Sequence, residues 1–182
     1  MSLTTARLLL RPLQASDHDP LAAMQADVRV TSWLGSGPRS PARAAAEAQC
    51  WIAGFAAGFA DVALCAVAAR DAEGWPADAF LGLAFLGSVG GGEVQLGYRF
   101  RHAAWGQGFA SEAAGALLQH GLHRLALPRI VAFTRRDNHA SAAVLRKIGM
   151  RERGIRMIDG YHARDFLAEA AGVPPGLRTV CR

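Results

Sequence analysis

Apolar residues follow two rhythms along this chain, and the switches between them predict its architecture. From Arg7, "RLLLRPL" is a short apolar run stopped by Arg11 and Pro12, as expected of a first strand and too brief for a leader. "ASDHDPLAAMQAD" changes to helical spacing, with Ser16 or Asp17 able to cap it and Pro20 in its first turn. The Gly/Pro/Ser-rich loop "TSWLGSGPRSP" leads to a second helix, "PARAAAEAQCWIAGFAAGF", with Pro41 at its start. "DVALCAVAAR" and "AFLGLAFLGS" are strand-like runs either side of the polar turn "DAEGWPAD". Gly90, Gly91 and Gly92 then reverse the chain into "EVQLGYRF", completing an antiparallel meander.

Beyond the meander, Phe109, Ala113, Ala116, Leu117 and His120 recur at helical spacing and give one mostly apolar face. "RIVAFTR" follows as a strand, and strand–helix–strand implies a parallel crossover. "NHASAAVLRKIG" is a further helix, begun by Asn138 and closed by Gly149. "MRERGIRMI" and "ARDFLAEA" finish the sheet, and "GVPPGLRTVCR" reads as a loosely held tail. The expectation is one α/β domain over residues 1–182, with its core at about 6–170 and a mixed sheet at its centre.

Composition narrows the function classes. Of 182 residues, 51% are hydrophobic and 19% charged, which excludes a wholly disordered chain. No apolar stretch approaches the length needed to cross a bilayer. Cys50, Cys65 and Cys181 are odd in number and widely spaced, so reduced thiols in a cytoplasmic protein are expected. The formal net charge of +5 suits an acidic partner: nucleic acid, an acidic surface or a polyphosphate. In "RERGIRMIDG", however, the basic residues alternate with acids and apolar residues and no aromatic platform is interleaved, which sets nucleic acid last of the three. His120 and His123 share a helical spacing but lack a third ligand, so no metal is expected.

The candidate chemistry begins at Gly106 and Gly108, a residue apart at the mouth of a helix. Such a step lets the backbone approach a guest, and the free N–H groups of a helix start suit an anion. A dinucleotide fingerprint would need glycine where Ser111 stands and an acid near Thr134 or Arg135. A P-loop would need a lysine that is not there. A plain strand-to-helix turn is the remaining alternative.

The neighbours of this turn carry a resemblance. "LGYRFRHAAWGQGFASEAAGALL", followed after one strand by "NHASAAVLRKIGM", resembles the GNAT acetyltransferase superfamily, and within it the RimJ/RimL-like branch, which typically opens with something like "RLLLRPLQASD". The likeness runs from about Ala6 to Asp165. It implies a single GNAT-type domain: a mixed, mostly antiparallel twisted sheet with a splayed parallel pair of central strands and about four helices. It also implies acetyl-CoA as cosubstrate. The pyrophosphate would lie on the backbone of Gly106, Gln107, Gly108, Phe109, Ala110 and Ser111, and the pantetheine arm in the gap beside Tyr98 and Phe100. The superfamily often has Gln or Arg where Ala103 stands, and Arg101 or His102 is placed to compensate.

The resemblance further implies direct acetyl transfer to an amine. Asn138 matches an asparagine that touches the pantetheine arm. A tyrosine acid expected seven residues later is Leu145, whereas the branch's Asn-x-x-Ser pattern brings in Ser141 as the group that protonates the leaving thiolate. For the base, Gln95 stands where the branch commonly has glutamate; Glu93, on the same strand face, or a water held by Gln95 are alternatives. Trp33 and Arg39, in the loop between the first helices, are expected to border the acceptor groove. The implied function is an acetyl-CoA-dependent N-acetyltransferase acting on a primary amine, an α-amine of a protein N-terminus or of a small molecule. Leu145, Ala103 and Gln95 keep a non-catalytic acyl-CoA-binding module open. The expected partners are acetyl-CoA, an amine acceptor and, as a further candidate, a second copy of the chain to form a homodimer.

Overall fold

The computed structural model describes residues 2–34, 36–56, 63–89, 92–158 and 160–170. Its strands are β1 (Leu3–Thr4), β2 (Leu8–Arg11), β3 (Ala63–Ala69), β4 (Phe80–Ser88), β5 (Val94–Phe100), β6 (Arg129–Arg135), β7 (Arg151–Ile158) and β8 (Tyr161–Glu169). Its helices are α1 (His18–Ala26), α2 (Val28–Thr31), α3 (Pro41–Ala56), α4 (Phe109–His123) and α5 (His139–Lys147). The strands form one sheet in the order β1-β2-β3-β4-β5-β6-β8-β7. Every neighbouring pair is antiparallel except β5 and β6, the pair joined through α4. The expected mixed sheet with a central parallel pair is therefore present. The glycine reversal lies outside the described residues at positions 90 and 91, as do the tail and Cys181.

Among the described residues there are five helices where about four were expected, because a short one, α2, directly follows the first. Asp27 takes an extended conformation, with φ −70° and ψ 112°, and its side chain accepts a hydrogen bond from the Arg29 N–H. Asp27 thus ends α1 and caps α2. Asp17 precedes α1 as expected, yet its side chain makes no cap bond to that helix. It is buried against Arg11 instead, with Nη1 to Oδ2 at 2.7 Å and Nη2 to Oδ1 at 3.0 Å, and it accepts from the Gln14 N–H at 2.8 Å. This two-pronged contact fixes β2 to the start of α1.

Two cores lie on opposite faces of the sheet. Leu86, Leu96, Phe100, Phe109, Leu117 and Ile130 belong to the larger, beneath α4 and α5. Gly121 lets α4 approach, since a Cβ there would lie 2.6 Å from Ile130 Cδ1. Leu13, Leu21, Met24, Ala48 and Leu83 form the smaller, beneath α1 and α3. Side chains alternate along β5, so Leu96, Tyr98 and Phe100 face α4 and α5 while Gln95, Gly97 and Arg99 face α1 and α3. Gln95 to Phe100 are thereby each assigned to one side of what becomes the site.

Candidate active site

β5 and β6 are paired at a single register position, Gln95 with Val131. Past that point β5 is secured on the β4 side, where the Arg101 N–H donates to the Leu81 carbonyl at 2.9 Å. The alternation of an antiparallel ladder then turns the main-chain groups of Tyr98 towards β6, where the register has ended. At the end of β5, the Trp105 indole N–H donates to the Phe100 carbonyl at 2.9 Å and takes an acceptor that β6 would otherwise use. A cavity of about 530 Å³ occupies the gap. It is lined from both faces of the sheet, by Tyr98, Ser141 and Leu145 on one side and by Phe85, Trp51 and Arg99 on the other.

Gly106 and Gly108 line the same cavity and both have positive φ, at 77° and 80°. A residue with a Cβ pays roughly 1–2 kcal/mol in that conformation. Gly108 is the N-cap of α4, so the N–H groups of Phe109, Ala110 and Ser111 have no acceptor within the helix. The cation that reaches this turn is Arg7, not Arg101 or His102. Arg7 Nη1 donates to the Gln107 carbonyl at 3.0 Å, and its guanidinium stands 4.6 Å from the centre of the Phe109 ring. Arg101 instead donates to the Phe80 carbonyl at 3.3 Å, and His102 packs on Trp105. The Gln107 side chain also serves the scaffold, accepting from the Trp75 indole at 3.0 Å and donating to the Ala103 carbonyl at 2.8 Å.

Behind the turn, Glu112 accepts from Arg7 Nε at 2.8 Å, from the Arg7 N–H at 2.8 Å and from the Thr5 hydroxyl at 2.5 Å. Burial alone would raise the Glu112 carboxyl, but these donors outweigh it and hold it below the usual carboxylate range. An acid in the first turn would oppose an anion, and Arg7 neutralises it. Sequence pattern offered no route to this pair, since 105 residues separate its members. The one available signal was an acid in the first turn of a helix expected to face an anion.

On the opposite wall, the Tyr98 hydroxyl lies 2.9 Å from Ser141 Oγ and donates to the Ser141 carbonyl at 3.1 Å. Asn138 Oδ1 accepts from the Ser141 N–H at 3.0 Å, so Asn138 starts α5 and fixes Ser141 at once. Burial pushes Tyr98 up to about 12, against a smaller lowering by the Ser141 hydrogen bond, which leaves it a neutral donor near pH 7. Leu145 is buried and lines the cavity without a polar group.

The remaining expected residues divide. Gln95, Phe100, Phe109, Ala110, Ser111 and Trp33 line the cavity. Glu93, Arg39, Arg101 and Gln107 do not. Glu93 lies 4.0 Å from Arg129, and Arg39 is paired with Glu47. Among the described residues, the lining contains no Asp, Glu, His, Lys or Cys. Arg99 went unremarked in the sequence. Its Nη1 donates to Gln25 Oε1 at 2.5 Å, and its guanidinium stands 5.8 Å from the Trp51 ring centre. Burial, with the like charge of Arg39, pushes Arg99 down to about 10.

Among the described residues, no helix is long and apolar enough to cross a membrane, and no group of three or more His, Cys, Asp and Glu side chains is placed to hold a metal ion. Comparison with known proteins places this geometry in a family. The pattern of the acetyltransferase (GNAT) domain matches residues 7–151. The Bacillus subtilis (strain 168) protein YnaD, an uncharacterised N-acetyltransferase, is 30% identical over 155 residues, 85% of each chain. The crystal structure of a GNAT-family acetyltransferase from Bacillus anthracis superposes with a TM-score of 0.79 at 22% identity, over 94% of this chain and 99% of that one. Mycobacterium smegmatis RimJ in complex with CoA-disulfide superposes with a TM-score of 0.77 at 19% identity, over 96% and 90%. With the domain pattern spanning most of the sequence and a relative matched over 85% of each chain, this chain belongs to the GNAT acetyltransferase family.

Proposed function

We propose that this chain is an acetyl-CoA-dependent N-acetyltransferase whose acceptor is an α-amine. The observation that carries the proposal is a single cavity lined by the Gly106–Gly108 turn, the open edge of β5 and the Tyr98–Ser141 hydroxyls. That run suits a cosubstrate with a polyphosphate at one end, a peptide-like arm in the middle and a sulfur at the other. The N–H groups of Phe109, Ala110 and Ser111, supported by the helix dipole and Arg7, hold the phosphates. The main-chain groups of Tyr98 pair with the arm as a missing strand would. The relatedness to a chain solved with CoA-disulfide supports the same assignment.

When bound, acetyl-CoA supplies an activated thioester to the attacking amine. The remaining work falls to the chain. The walls hold the two partners together and keep water out. Ser141 Oγ donates a hydrogen bond to the departing sulfur while the Tyr98 hydroxyl donates to Ser141 Oγ. The proton the thiolate finally takes is matched by the one the attacking amine releases to water, so both hydroxyls end protonated. A thiol has a pKa near 8.5, so this step needs only modest help. No carboxylate or imidazole lines the cavity among the described residues, and the acceptor must therefore arrive largely neutral. An α-amine, with a pKa of about 7.7–8.0, meets that condition better than a lysine amine near 10.4. The free thiols of Cys50 and Cys65 suit the cytoplasm.

The missing base also favours a second reading, an acyl-CoA-binding module without catalysis. Thermal unfolding with acetyl-CoA, alongside release of CoA thiol with a panel of amines, separates the two. Stabilisation with release supports the transferase, and stabilisation without release of thiol by any amine supports the module. No stabilisation overturns both.

A further inference from the structure

Arg99 is a half-buried cation with a buried Nε and no carboxylate in contact with it among the described residues. Its one hydrogen-bond partner among the described residues is the neutral Gln25 amide, and Trp51 supplies a π-face on another side. The other arginine in the cavity lining, Arg135, lies 3.5 Å from Asp137. Glu47 favours the charged form of Arg99, but Glu47 is already engaged by Arg39 and, at 2.9 Å, by Arg43. Three buried side-chain nitrogens have no hydrogen-bond partner among the described residues, and two of them, Arg99 Nε and Gln25 Nε2, belong to this one contact. Both are donors. Gln25 cannot flip to correct this, because Oε1 is the atom that accepts from Arg99. A desolvated cation with unmet donors is costly unless an acceptor-only group arrives to meet it.

We propose that the acetyl acceptor is a small α-amine bearing a carboxylate, and that Arg99 selects it by pairing with that carboxylate. This rests on the N-acetyltransferase reading above and names the acceptor for the same cavity. Position supports it. Arg99 and Tyr98 are adjacent on β5 and face opposite sides of the sheet, so the gap lies between the cation and the Tyr98–Ser141 hydroxyls. An acceptor entering from the α1–α3 side places its carboxylate on Arg99 and points its amine into the gap. One unpaired arginine matches one negative charge. The surrounding Trp33, Trp51 and Phe85 favour a compact organic acid over a strongly hydrated phosphate.

The test compares leucyl-glycine with its C-terminal amide, whose α-amines are alike. In CoA-thiol release, the native protein should favour the acid in kcat/KM by about tenfold or more, the scale of a charge-assisted hydrogen bond. Arg99→Met should bring the ratio close to one, and Arg99→Lys should keep part of it. Acetyl-CoA should still raise the Tm of both variants, showing that fold and cofactor turn are intact. A readout without turnover runs alongside: in the presence of CoA, N-acetyl-leucyl-glycine should raise the Tm of the native protein and its amide should not. An amide used as well as the acid, an unchanged ratio in Arg99→Met, or equal Tm shifts from the two acetylated dipeptides would overturn the role of Arg99. Loss of the acetyl-CoA shift in the native protein would overturn the transferase reading instead. If no amine releases CoA thiol, the acetylated dipeptides still decide whether Arg99 reads a carboxylate.

Discussion

The Tyr98 hydroxyl stands 2.9 Å from the Ser141 hydroxyl, tying β5 to α5 beside the gap where β5 and β6 part. Their hydrogens can be arranged in two ways. With the tyrosine proton on the Ser141 carbonyl, Ser141 Oγ donates to Tyr98; with it on Ser141 Oγ, the serine hydroxyl is free to donate elsewhere. The second arrangement is the one that serves a departing thiolate.

Ser141→Ala should therefore lower kcat by roughly tenfold, below the hundredfold of a fully used general acid because a thiolate leaves readily. Acetyl-CoA affinity should change little. Tyr98→Phe should also lower kcat, since it removes the hydroxyl that donates to Ser141 Oγ when the serine donates to the sulfur. Steady-state kinetics on both variants decide the matter, and unchanged turnover in Ser141→Ala would reduce the serine to a packing residue.

At about 100 times its dissociation constant, acetyl-CoA should stabilise the native protein by roughly 2.7 kcal/mol. Gly108→Val should lose most of that shift, because Gly108 holds φ 80° at the N-cap and a β-branched residue is strained there. Arg7→Gln provides the independent variant, leaving Glu112 without its counter-ion behind the phosphates. Its acetyl-CoA shift should be smaller than native. Thermal unfolding with and without ligand reads both, and a full shift in both variants would rule out the turn as the phosphate cradle.

What the sequence disclosed was local. Glycines two apart before an apolar-faced helix, an asparagine opening α5 and the strand–helix–strand crossover are each written within a few residues. The same holds for the extra helix, since Asp27 two residues before Arg29 carries a capping signal, but it stands where the first helix was expected to end. Three relationships in the site could not be read this way. Arg7 meets Glu112 across 105 residues, Arg99 meets Gln25 across 74, and Tyr98 meets Ser141 across 43. A lone arginine or tyrosine in a sequence has no partner until the fold supplies one. Glu93 shows the converse: strand alternation put it on the same face as Gln95, yet it precedes β5 and lies towards Arg129, outside the cavity.

Burial separates ion pairs that look alike in sequence. Arg11 and Asp17 are 6% and 2% exposed, so Asp17→Asn, which leaves Arg11 only the exposed Asp78 as counter-ion at 2.9 Å, should destabilise the fold by about 3 kcal/mol. Arg29 is well exposed beside Asp27, and water screens that charge pair, so it should contribute far less to stability. Chemical denaturation of Asp17→Asn and Arg29→Ala should therefore give clearly different midpoints. Similar midpoints would show that the Arg11–Asp17 contact does not anchor β2 to α1.

The last prediction concerns which amine the site accepts. Gln95 occupies the cavity at the position where a carboxylate was expected, and Glu93 lies outside the lining. With no acidic or imidazole side chain among the described lining residues, proton removal falls to water or to the acceptor's own equilibrium. An α-amine with a pKa of about 7.7–8.0 is neutral to an appreciable extent near pH 7. A lysine amine near 10.4 would need its pKa lowered by almost three units, or roughly 4 kcal/mol, which the cavity has no base to offset. The positive charge of Arg99 favours the neutral form of any amine nearby, but it does so for both kinds and cannot close that difference. Two peptides with the same free C-terminus provide the comparison, one with a free N-terminus and no lysine, the other N-blocked with one lysine. The first should release CoA thiol and the second should not, with the rate on the first rising with pH as its amine deprotonates. Preferential acetylation of the lysine peptide would mean that a base reaches the site from outside the cavity lining described above. Silence on both peptides, with release on leucyl-glycine, would confine the acceptor to small molecules.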